Sequence, residues 1–190
     1  MTTMETDRES QPFVLGLVRC LRGLDRGMER LGRATAWLTL ALVLMVAGDV
    51  LFRYVWHVGS VAEQELQWHL LAVIAMISAS YTFQQNEHVR VDIFYQCYSP
   101  RARQILDIII SLLIVVPSML FLAWMCLDFV YQSWSLNEGS PDPGGLPARY
   151  VIKAFVPLGF ALVAWQGIVR GLLDLITLVA GHSPEVRDGA

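Results

Sequence analysis

The sequence predicts an all-α membrane protein: four transmembrane helices preceded by an amphipathic interfacial N-terminal helix. Three observations carry this. The chain is 55% hydrophobic and 16% charged over 190 residues, with a mean hydropathy of +0.47, so its polar residues are too few to cover a soluble fold. Four apolar runs reach the ~20 residues that a helix needs to cross a hydrocarbon core of about 30 Å. Ahead of them, arginines recur every three or four positions opposite an apolar face.

In chain order, residues 1–12 read as a disordered tail and 13–33 as the amphipathic membrane-surface helix. At 100° per residue Arg19, Arg22, Arg26, Arg30 and Arg33 share one side, and Leu17, Leu21, Leu24, Met28 and Leu31 the other. That pattern fits a helix lying in an anionic headgroup layer, or one packed on a partner's surface. With arginines interrupting it and no A-x-A site following, the segment reads as an anchor rather than a signal peptide. The membrane domain covers 34–180, with spans at about 34–56, 66–83, 104–130 and 151–177, and 181–190 form a tail. Pro117 and Pro157 fall inside spans three and four and are expected to kink them.

Ionisable groups in the spans are functional candidates by default, because burying them unpaired is costly. Asp49 with Arg53 and Arg170 with Asp174 are each four apart and can pair along a helix. Glu63 and Glu65 open span two, where a carboxylate complements the helix N-terminus. Asp107 and Asp128 lie near opposite ends of span three, within reach of interfacial water. His69 is the single histidine inside a span, so a pair of haem ligands facing each other is not expected. The cysteines Cys20, Cys97 and Cys126 are isolated, which gives no metal or disulfide pattern. No cofactor is expected. The net charge of −3 indicates no nucleic-acid partner. No polar chain crosses the middle of the spans and no repeat is visible, which argues against a transport path within this chain alone.

Lysine and arginine set the orientation. Ten arginines (8, 19, 22, 26, 30, 33, 90, 101, 103 and 187) lie on the side of the termini and of the connection between spans two and three. Arg53, Arg149 and Lys153 lie opposite. Both termini are therefore expected in the cytoplasm. The long outer loop, "SWSLNEGSPDPGGLPARY", is punctuated by proline and glycine, with Trp134 and Tyr150 as aromatic anchors at the membrane boundary.

The densest mixed charge is "NEHVRVD" at 86–92, containing His88, Arg90 and Asp92. "HVRVD" resembles the signature that follows the second span in small permease subunits of TRAP transporters, the DctQ-like family. "RYVW" at 53–56, "AEQEL" at 62–66, "SPRARQIL" at 99–106, "SWSLNEGSPDPGGLP" at 133–147 and "KAFVPLGFALVAWQ" at 153–166 agree with it in order. The resemblance covers roughly residues 35–170. The family often has two adjacent acidic residues where this chain has Glu63, Gln64 and Glu65, and the second acidic role carries over to Glu65. Arg53, Glu65, His88, Arg90, Asp92, Trp134, Glu138, Lys153 and Gln166 are the candidate structural or partner-contact residues.

The resemblance implies a non-enzymatic accessory subunit in the bacterial inner membrane. Its expected partners are a large permease subunit, a periplasmic solute-binding protein, and anionic lipid headgroups at the N-terminal helix. Together they would import organic acids on the sodium gradient. The alternative is a membrane-anchor or cytochrome-b subunit of a respiratory enzyme, which a haem Soret band would reveal. An independent small carrier is weaker still.

Overall fold

The computed structural model describes residues 3–85 and 98–179, with side chains from residue 16 onward. The described residues form four long helices and no strand: α1 (Thr3–Trp56), α2 (Val61–Gln84), α3 (Pro100–Ser135) and α4 (Tyr150–Val179). All four are long and apolar enough to cross a membrane. The end carrying the α1–α2 and α3–α4 connections is called the outer end here, after the arginine bias.

Local chemistry sets the helix starts. Ser60 is extended (φ −117°) and its side chain accepts from the Glu63 N–H at 3.4 Å, so Ser60 caps α2, with Glu63 in the first turn. Ser99 does the same for α3 through the Ala102 N–H at 3.4 Å, and Pro100 follows where its missing N–H costs nothing.

The two prolines behave differently. Ahead of Pro117 the backbone widens into a π turn over Ile110–Val115. A proline ring collides with the carbonyl four residues back and offers it no N–H, so the preceding turn relaxes to longer hydrogen bonds. Around Pro157 no such change occurs, and α4 runs through it uninterrupted.

The separate interfacial helix expected at 13–33 is not supported. Those residues belong to one helix that begins at Thr3 and continues without a break into the first span. The physical reason is that Gly32 stands alone at the expected junction, and a lone glycine does not end a helix as a proline or a glycine cluster would. The apolar face of that stretch is only partly a lipid face. Leu21 and Met28 are buried, Met28 against the Ser80 hydroxyl of α2 (3.2 Å), while Leu17, Leu24 and Leu31 are exposed.

The helices neighbour one another in the order α1–α2–α4–α3, and α4 touches every other helix, α1 included. α3 packs extensively on α4, with no comparable contact to α1 or α2 among the described residues. Close approach depends on small residues in α4. A Cβ on Gly159 would meet Met76 of α2, and one on Gly171 would meet Leu112 of α3. Among the described residues, buried apolar side chains are correspondingly few: Leu21, Met28, Val163, Ala164 and Val169.

Candidate functional site

Between α3 and α4 the chain makes a closed loop over residues 136–149. Its backbone turns tightly from the end of α3, with Asn137 N–H donating to the Trp134 carbonyl and Glu138 N–H to that of Ser133, both at 3.0 Å. Asn137 (φ 46°), Gly144 (φ 83°) and Ala148 (φ 62°) are left-handed, and Gly144 and Asn137 are residue types that tolerate this conformation. Ser140 N–H donates to the Leu146 carbonyl at 3.1 Å and Arg149 N–H to the Glu138 carbonyl at 2.9 Å, drawing the two limbs together.

Glu65 of α2 pins this loop. The Ser140 hydroxyl donates to its Oε1, and the Leu146 N–H donates to its Oε2 at 2.6 Å. One carboxylate thus holds two points on a segment 75 and 81 residues away in the chain. Gly145 permits the approach, because a Cβ there would collide with Ser140 and lie 2.8 Å from Glu65 Oε2. One turn further along α2, His69 Nδ1 donates to the Glu65 carbonyl at 2.5 Å, which fixes the imidazole locally.

A second staple closes the base of the loop. Lys153 of α4 is hydrogen-bonded and ion-paired to Glu138, and its ammonium sits 4.3 Å from the centroid of the Phe129 ring. The Lys153 hydrogen bond holds the Glu138 carboxyl below the ordinary carboxylate range, with Arg149 adding a smaller charge effect in the same direction.

On the other side of α2, Arg53 donates to Asp49 Oδ2 at 2.9 Å, the pairing expected from their spacing. Gln64 lies against the same guanidinium, and with its amide turned so that the oxygen faces Arg53 it would accept from Nη1 at 3.1 Å. These residues line a cleft of about 410 Å³ between α1 and α2, with Tyr54 and Trp68. Trp134 is exposed beside Tyr131, their ring centroids 6.3 Å apart, and Tyr54, Trp56 and Trp68 are exposed at the same end.

The structure therefore brings Glu65, Glu138, Lys153 and Trp134 together around the outer loop, with Arg53 nearby. Gln166 lies apart, fully buried in α4 toward the inner end, where its Nε2 donates to Asp25 Oδ1 at 2.6 Å. His88, Arg90 and Asp92 lie outside the described residues. Sequence reasoning missed Ser140 as the partner of Glu65, and of the inner glutamines it named Gln166 but missed Gln84 and Gln104. Gln84 donates to the Asp25 carbonyl at 2.7 Å, and Gln104 donates to Thr177 Oγ1 at 2.8 Å and the Asp174 carbonyl at 3.1 Å. The available signal was that Gln84 and Gln104 are uncharged polar residues at the edges of spans, where an amide needs a partner. Among the described residues no three His, Cys, Asp or Glu side chains gather as a metal site would require.

Four apolar helices, with a pinned loop at one end, define a multi-span membrane component whose polar chemistry holds the chain together. The chain matches the DctQ component of tripartite ATP-independent periplasmic transporters over residues 42–177. It belongs to that family, and so is a small permease subunit of this kind of transporter, a transport component rather than a member of an enzyme family. No curated protein matches it.

Proposed function

We propose that this chain is the stationary scaffold of a sodium-gradient-driven, binding-protein-dependent importer of organic acids in the bacterial inner membrane. Its exposed helix faces brace the large permease subunit, and its outer loop helps dock the periplasmic solute-binding protein. Both termini lie in the cytoplasm. The arginines of α1 nearest the span meet anionic headgroups, and the 88–92 segment with His88, Arg90 and Asp92 contacts the large subunit.

The observation that carries the docking role is the Glu65 pin. A fourteen-residue loop that only reversed the chain would need no carboxylate from a third helix to hold its shape. Preorganised loops bind with less ordering cost, which is what a docking surface requires. The test is capture of the purified binding protein by the two membrane subunits in lipid nanodiscs. Glu65→Ala is expected to weaken capture about tenfold, the loss of roughly 1.4 kcal/mol, while the large subunit still co-purifies. Unchanged capture would remove the docking role, and substrate uptake by this chain alone in liposomes would remove the scaffold role.

A further inference from the structure

We propose that Asp25 is a clasp that fixes the rotation at which the N-terminal part of α1 leaves the membrane domain, and so the direction its arginines face. Two glutamines from different helices converge on this one residue. Gln166 of α4 donates from Nε2 to Asp25 Oδ1 at 2.6 Å, and Gln84 of α2 donates from Nε2 to the Asp25 carbonyl at 2.7 Å. Both glutamines are buried, Gln166 completely.

The amides are aimed at Asp25 against their own interest. Gln84 Oε1 and Gln166 Oε1 are each buried without a hydrogen-bond partner. A buried carbonyl oxygen left unpaired is unfavourable. Turning either amide over would set oxygen against oxygen at Asp25, so the two acceptors on Asp25 dictate both orientations. The supports behind the glutamines are themselves held. Arg170 donates to the Gln84 carbonyl at 2.7 Å, which fixes the end of α2 against α4, and Gln104 ties α3 to the last turns of α4.

Apolar packing tolerates rotation of a helix about its axis, whereas directed hydrogen bonds to a single residue do not. At 100° per residue, the buried positions Leu21, Met28, Gly32 and Thr35 lie to one side of Asp25. Arg19, Arg22, Arg26, Arg30 and Arg33 are all exposed and centre about 100° to its other side. With Asp25 clasped, the arginine ridge is turned away from α2 and α4 and toward whatever surrounds the subunit.

The test uses the full chain in lipid nanodiscs with Cys97 and Cys126 replaced by serine. Spin labels sit at the native Cys20 and at Arg101→Cys, and their distance distribution is measured by pulsed electron resonance. Asp25→Ala and Gln166→Met, which keeps the volume but removes the donor, should each widen the distribution about twofold. Asp25→Asn retains an acceptor oxygen and should leave it narrow. Gln166→Glu sets carboxylate against carboxylate and should widen it. Combining Gln166→Glu with Asp25→Asn restores a donor–acceptor pair and should narrow it again. A narrow distribution in Gln166→Met, or no narrowing on combining the exchanged pair, would overturn the clasp. Should Asp25→Ala fail to fold, the exchanged pair against Gln166→Glu alone decides the matter.

Discussion

Glu65 and Glu138 show how much two carboxylates organise at the outer end. Replacing Glu65 with alanine strands the Ser140 hydroxyl and the Leu146 N–H. Amide exchange at Leu146 is expected to quicken about tenfold or more, read by hydrogen–deuterium exchange, with little change in the centre of α4. Glu138 has a pH signature. Its folded pKa is depressed by Lys153, so the stabilisation it contributes is present above the unfolded carboxylate value near 4.5 and is lost as pH falls through the lower folded value. Protection of residues 136–149 should therefore hold at neutral pH and fall in the acid range below about 4.5. Glu138→Gln should flatten that acid dependence. The sequence marked both acids as candidates, but it read Glu65 beside Glu63 as a helix-start charge. The structure assigns the start to Ser60 and Glu63 and turns Glu65 to a loop some 80 residues on, a distance over which local pattern carries no information.

At the level of helices, spans were legible and joints were not. Twenty apolar residues announce a span because lipid demands that backbone groups be satisfied within the helix. Whether a proline disturbs that helix depends on neighbours, which is why Pro117 has a π turn ahead of it and Pro157 none. The N-terminal stretch was misjudged for a similar reason. An arginine ridge opposite leucines looks alike on a helix lying in headgroups and on one packed against its own chain, and the buried Met28 and Asp25 contacts appear only once α2 and α4 are in place. The α1–α2 seam gives a sharp test at Gly32, where a Cβ would collide with the Tyr81 ring. Gly32→Val should cost ~1–3 kcal/mol, as overpacking does. It should lower the melting temperature in detergent by a few degrees, whereas Gly27→Ala, with open space around it, should not.

For the molecule as a whole, the arginine count and the loop chemistry make a joint prediction about sidedness. A cysteine placed at Asp142, exposed at the loop tip, should react in intact cells with a maleimide that cannot cross the membrane. A reporter that is active only outside the cell, fused after Ala190, should stay silent. No labelling at position 142, or reporter activity at the C-terminus, would speak for the reversed orientation. Family membership was legible from ordered short motifs, whereas the arrangement of the helices was not, because apolar periodicity does not say which helix neighbours which.

That arrangement sets a limit on the chain. α1 touches α4 as well as α2, so these three helices form a small cluster, and α3 leans on α4. Most residues in the apolar stretches of α1, α2 and α3 are therefore open to the outside, while a third of those in α4 are buried. The faces that the chain leaves uncovered have to be covered by lipid or by another subunit, since water is not there to meet them.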